Sequence, residues 1–342
     1  MSVSLDTRSP NGVPAAGRPA ARAFTLVFQA GLVLGLLGLA AFVPVLIRLL
    51  ESWRVSPGAV SHHVSILGQR LGYPTANAGA LIVLGLALLG GTMVAIAVFA
   101  IGRELRHARR LTRRLAELRP IVRDGVYVIE DQRVQAFCAG LVWPRVYITT
   151  GALAMLDEQS LNAVLCHERH HARCRHPLRL AASRVIARSF FFLPGIAELV
   201  RGQQVLAEVS ADESAVAAAA GDRSALARAM LSFDDASYHG EPSGIDPVRV
   251  DYLLGAPLSW RFPAVIFGAA VALLAVIVMA TILVGRAAAG SATLDPPFLS
   301  TQPCIVTLAL IPYGVGLVSA RFGLIARGRG RMSGSRLTDT RS

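Results

Sequence analysis

The chain has 342 residues, a formal net charge of +12, 53% hydrophobic residues and a mean hydropathy of +0.51. That much apolar character excludes an ordinary soluble domain of this length and points to a membrane protein. All 34 basic residues are arginine, which reads as coding bias, so the charge is informative only through where it falls.

Residues 1–23, rich in Pro, Gly and Ala, read as a disordered tail. Residues 24–50 and 78–101 are apolar runs near the roughly 20 residues that cross a bilayer core. The first is too long for a cleavable signal and lacks a small-residue cleavage site, so it reads as a retained span. Eight arginines lie between Arg103 and Arg123 and six between Arg321 and Arg341, whereas residues 51–77 hold only Arg54 and Arg70. The positive-inside rule therefore places both termini and the middle of the chain in the cytoplasm of a bacterial plasma membrane. Leu105, Leu111, Leu115 and Leu118 form one stripe of a basic helix suited to anionic lipid. Because the arginine clusters abut spans, direct nucleic-acid binding is not expected.

Short β-like segments follow at residues 126–130, 134–138 and 145–149, and Val134, Gln135, Ala136 and Phe137 are the candidates for an edge that pairs with substrate backbone. The helical stretch 156–178, with Asp157 as its N-cap, contains His167, Glu168 and His171 as HExxH. Side chains at i and i+4 share one helix face, so two imidazoles can hold one ion while Glu168 serves as the base. A catalytic zinc uses three protein ligands, and Glu208 in the alanine-rich helix 207–221 is the candidate third. Asp212, one turn on, is placed to fix a ligand histidine's tautomer. Glu213 and His170 are expected to face solvent, and His176, five residues past His171, to end the helix or touch lipid, with a place behind a ligand as the alternative.

Residues 185–200 are apolar but carry Arg188 and Glu198. A single crossing there would put Glu208 on the opposite side of the membrane from the histidines, so this segment must return or lie at the surface, with residues 190–194 deepest. Residues 262–284 and 304–320 are the third and fourth spans, and 321–342 a basic cytoplasmic tail. Cys138, Cys166, Cys174 and Cys304 show no paired spacing and read as small apolar fillers. No residue stands out as oxyanion stabiliser; His176, Tyr238, His239 and Tyr252 stay open.

Three stretches, AFCAGLVWPRVYITTGAL (136–153), NAVLCHERHHARCRHPLRL (162–180) and AEVSADESAV (207–216), resemble the BlaR/MecR antirepressor peptidase family and, more distantly, the HtpX and CAAX prenyl endopeptidase family. The resemblance implies one zinc ion per chain held by His167, His171 and Glu208, with Glu168 as base and Asp212 behind a ligand. It admits a transcriptional repressor as substrate. No penicillin-binding sensor domain or SxxK motif is evident, so β-lactam sensing is not implied.

The fold expected is mainly α: a polytopic membrane protein with about four transmembrane helices and a small α+β gluzincin zinc-protease domain between spans 2 and 3. Its boundaries are a transmembrane hairpin at 24–102, a cytoplasmic metallopeptidase domain at 103–260 and a second hairpin at 261–320. The function expected is zinc metalloendopeptidase acting on a cytoplasmic or membrane-proximal protein, in regulatory signalling or in quality control of membrane proteins. The rival is a catalytically idle sensor or scaffold tethered by arginine clusters. The complete set His167, Glu168, His171 and Glu208 argues against decay.

Overall fold

The computed structural model describes residues 19–55, 62–66, 69–73, 77–236, 247–256, 260–289 and 292–294. In chain order these form α1 (Pro19–Ser52), β1 (Trp53–Val55), β2 (His62–Ile66), β3 (Gln69–Tyr73), α2 (Ala78–Glu117), β4 (Ile121–Arg123), β5 (Val126–Ile129), β6 (Ala136–Ala139), β7 (Arg145–Thr149), α3 (Thr150–Met155), α4 (Glu158–Arg173), α5 (His176–Ser189), α6 (Ile196–Ala218), α7 (Ser224–Ala236), α8 (Pro247–Leu253), α9 (Ala264–Ala288) and β8 (Ala292–Leu294). The chain is mainly helical with a small sheet.

Among the described residues, three helices, α1, α2 and α9, are long and apolar enough to cross a bilayer. α1 begins at Pro19, inside the stretch expected to be disordered, because Ala20 and Phe24 are buried against the protein. α2 runs unbroken through the basic stretch to Glu117, so that stretch continues a long apolar helix and is not a separate one. The expected fourth span, 304–320, and the tail 321–342 lie outside the described residues, as do residues 1–18.

The chain divides into two compact units, one of Met1–Leu39 with Ile96–Leu274, the other of Ala40–Ala95 with Ala275–Ser342. In the second, β1 and β8 pair in parallel and β2 and β3 form an antiparallel hairpin. The first holds a four-stranded sheet in the order β4-β5-β7-β6, with β5 and β7 parallel and the other pairs antiparallel. Strand alternation sorts its residues into two layers. Val126, Val128, Val146 and Ile148 join Leu161, Val164 and Leu165 of α4, whereas Ile129, Ala139 and Tyr147 join Leu115 of α2. The sheet is thus sandwiched between the α2 extension and α4, and β6 is a free edge.

Residues 185–200 do not form one helix. α5 stops at Ser189, the chain turns through residues 190–195 with Gly195 at φ 71°, and α6 returns. α5 runs beside α1: the His176 ring lies 4.4 Å from Phe24, Ile186 faces Gly35, and the Phe190 ring occupies the space a β-carbon on Gly38 would need. Arg184 and Arg188 both pair with Glu104 of α2, at 2.7 and 3.2 Å. The arginine charge that argued against burying this segment is therefore matched.

Gly38→Ala is expected to destabilise the protein by about 1–3 kcal/mol through overpacking against Phe190. Gly31→Ala, on the same helix with nothing within 4 Å of the added carbon, is the control and should be neutral or stabilising. Chemical unfolding of the detergent-solubilised protein measures both, and equal midpoints would refute the α1–α5 packing.

Candidate metal centre

The Asp157 side chain caps α4 by accepting the Ser160 N–H at 2.7 Å. From that start, the helix period turns Leu161, Val164 and Leu165 toward the sheet and His167 and His171 toward α6. Ala207, Ala211 and Ala215 of α6 are fully buried, and their small size lets the two helices approach closely. Glu208 and Asp212 stand next to this stripe, one turn apart. The result is a three-donor cluster. His167 Nε2 and His171 Nε2 are 3.1 Å apart, and the Glu208 carboxylate oxygens lie 3.6 Å from the first and 3.7 Å from the second.

Donors bound at about 2 Å to one tetrahedral ion stand roughly 3.3 Å from each other. These separations bracket that spacing, and two imidazoles with one carboxylate are the donor set a zinc ion takes, so the residues fit such an ion. Glu168, the next residue along α4, is half-buried, and its carboxylate accepts the backbone N–H of Cys138 on β6.

Charge around the cluster is matched in pairs. His167 Nδ1 lies 2.9 Å from Asp212 Oδ1, though off the line of an ideal hydrogen bond. Asp212 is fully buried and is held by Arg249 of α8, whose Nε and Nη2 each donate to it at 2.8 Å. Arg249 also reaches Glu208 at 3.2 Å. Burial works against the Asp212 carboxylate, but the bonds from His167 and Arg249 outweigh it and hold its pKa below the usual range. Burial likewise opposes the charged form of His167, yet the Asp212 and Glu208 carboxylates raise it to about 10. A metal cation would there replace a proton that the carboxylates already hold in place. His171, with burial and the His167 charge both acting on it, is lowered to about 4 and is neutral at pH 7, the form a ligand needs. Glu168 is raised to about 7 by burial, with a further push from Glu208. A carboxyl poised there exchanges protons readily near neutrality.

His167, Glu168, His171, Glu208 and Asp212 are all brought together. Of the four edge candidates, Val134 packs into the core and Phe137 stacks on Tyr147. Gln135 is bonded on both its N–H and its C=O to Thr149 of β7. Alternation then turns Ala136 and Cys138 toward the free edge, in agreement with the Cys138 N–H reaching Glu168.

Several expectations need correction. Glu213 is buried, not solvated, and accepts the Ala20 N–H at 3.1 Å, because the start of α1 packs on α6. His170 is also buried, at 5% exposure. His176 begins α5, and its Nδ1 lies 2.9 Å from His171 Nδ1, the alternative place behind a ligand, reached across a turn and not along one helix face. Arg249 was not singled out from the sequence at all. Its only local signal is an isolated cation in a short segment. Tyr238 and His239 lie outside the described residues.

The helix-borne pair of histidines, the glutamate on the next-but-one helix and the adjoining acid define the class of a helical metallopeptidase centre. The family model described as Peptidase family M48 matches residues 104–306, more than half of the chain. The chain belongs to that family, whose members are metalloproteases that use zinc. It is similar to the Protease HtpX homolog of Trichormus variabilis (strain ATCC 29413 / PCC 7937), with 34% identity over 86 residues. That stretch is 25% of this chain and 30% of the relative, so the chain spans less than a third of the curated protein it matches. No solved structure matches it.

Arg249→Met strands the fully buried Asp212 charge and is expected to lower stability by about 3–5 kcal/mol. Asp212 titrates below its unfolded value, so its pairing stabilises above about pH 4 and is lost as pH falls further. Unfolding curves of variant and wild type should therefore differ at pH 7 and converge in acid. A variant of unchanged stability at pH 7 contradicts this role.

Proposed function

We propose that the protein is an integral-membrane zinc metalloendopeptidase that cleaves a cytoplasmic or membrane-proximal protein. The observation that carries the reading is the convergence of His167 Nε2, His171 Nε2 and the Glu208 carboxylate at the spacing of one tetrahedral ion, with Glu168 beside them at a free strand edge.

His167, His171 and Glu208 would hold the ion, which when bound supplies a Lewis acid that polarises a carbonyl and acidifies a water. Asp212 orients the His167 ring from behind, and Arg249 keeps Asp212 and Glu208 charged in place. Glu168 takes the proton from the attacking water and returns it to the leaving amine. The main-chain groups of Ala136 and the C=O of Cys138 on β6 pair with an extended substrate backbone and lay its scissile carbonyl beside Glu168.

In this reading α1, α2 and α9 cross the bilayer, residues 304–320 supply a fourth span, and the peptidase domain 103–260 lies between spans 2 and 3. The arginines from Arg103 to Arg123 put that domain, and both termini, on the cytoplasmic side. The α5–α6 hairpin follows α1 from Phe24 to Gly38, about 20 Å at the helical rise, so its turn enters the inner leaflet as a re-entrant element. The BlaR/MecR-like subtype and a repressor substrate rest on sequence resemblance alone.

Glu168→Gln is expected to retain one zinc per chain while losing proteolysis, and Glu208→Ala to lose metal itself. Metal analysis of purified protein beside a peptide-cleavage assay reads both, and full cleavage by Glu168→Gln would remove the mechanism. Reporter fusions after Arg123 and Ser291 are expected to report cytoplasmic and external locations. The opposite result at Arg123 would invert the topology.

A further inference from the structure

A second cluster adjoins the first. One donor atom each of His170, Cys174 and His176 lies within 4.8 Å of the others. The three come from the last turn of α4, the tight connection in which Arg175 adopts φ 50°, and the first residue of α5. His170 and His176 are 5% and 1% exposed, and the Cys174 sulfur sits 3.5 Å from His170 Nε2. We propose that these residues form a second metal site, an imidazole–thiolate–imidazole set for a soft divalent ion such as zinc or cadmium, and that loading it opposes loading of the His167–His171–Glu208 centre.

The donors suit such an ion. Thiolate and imidazole on one tetrahedral centre stand roughly 3.5 Å apart, the spacing already present between Cys174 and His170. Cys174, half-buried at the end of α4, keeps rotameric freedom to adjust to an ion. An entry path exists, since Cys174 and His176 line a cavity of about 510 Å³ whose wall also carries Arg22 and Arg179. Two guanidinium groups there repel any cation, so occupancy rests on the bond to the thiolate. On binding, the Cys174 S–H proton is released to solvent.

The opposition follows from proton bookkeeping between His171 and His176, whose Nδ1 atoms are 2.9 Å apart. Only one proton fits between them. When His171 binds an ion through Nε2, the neutral ring carries its proton on Nδ1 and donates it to His176 Nδ1, which must be unprotonated. An ion taken by His176 Nδ1 removes that acceptor outright. An ion taken by His176 Nε2 leaves the neutral ring's proton on Nδ1, facing the Nδ1–H of His171. Either way the ligand histidine of the first centre loses the partner that fixes its tautomer, a change worth on the order of 10- to 100-fold in metal affinity or activity. The opposition rests on the reading of His171 as a ligand, whereas occupancy of the second site does not.

Titration of the detergent-solubilised full chain with cadmium, followed by the thiolate-to-cadmium absorption band, tests this. Two equivalents are expected to bind, one silent and one bringing the band. With the zinc-loaded chain, peptidase activity should fall on the order of 10- to 100-fold as the second site fills with excess zinc. Cys174→Ser should lose the band, keep the activity of the singly loaded chain and resist the inhibition. A band missing from wild type, or one that persists in Cys174→Ser, overturns the site, and equal inhibition of both proteins overturns the opposition. His167→Ala separates the two readings. It should lose the silent equivalent and keep the band, so a silent equivalent that survives sinks the peptidase centre while the band still decides the second site.

Discussion

Two imidazoles and a carboxylate buried beside a half-exposed second carboxylate can coexist only if the buried charges have counterparts, and the architecture around His167 follows from that constraint. His167 lies between Glu208 and Asp212, and Arg249 closes the ring by touching both acids. Without the guanidinium, Asp212 would be an anion with no solvent access and one off-line partner. With it, the acid stays ionised and holds the imidazole ring in place. The close approach of α4 and α6, made possible by buried alanines, is what brings the four groups within reach of each other.

The parts of the site that lie at helical spacing were readable from the residues. His167 with His171, and Glu208 with Asp212, are one-turn relations that any α-helix imposes, and Asp157 carries a capping signature of its own. Contacts formed across a turn or between distant elements were not. His176 reaches His171 only because the Cys174–Arg175 connection folds back, and Arg249 arrives from α8 after a long intervening segment. Glu213 and His170 were misplaced for a related reason. A helix face looks solvated until something packs on it, and what covers Glu213 is the first turn of α1, nearly two hundred residues earlier. The three strands of the sheet were visible as β-branched and aromatic runs, but β4, with only three exposed residues, carries too little pattern to be seen.

The long helices and the peptidase core are not separate layers of construction. α1 meets α6 at Glu213 and α5 at His176, Ile186 and Phe190, and Glu104 of α2 anchors two arginines of α5. Of the two helices that supply donors to the centre, α6 thus touches an apolar helix directly. The small glycines at positions 35 and 38 allow this closeness, which is the usual device by which helices associate where no hydrophobic force drives them together.

The short free edge of β6 offers a client chain only the main-chain groups of Ala136 and the C=O of Cys138, whose N–H is held by Glu168, with the neighbouring positions committed to β7. Under the proposed function, such a ledge grips any slack, unpaired stretch of polypeptide and reads almost nothing of its side chains. Selection would then act on conformational availability: damaged or unassembled proteins that expose a loose strand near the inner leaflet become vulnerable, while the same sequence tucked into a finished fold passes untouched.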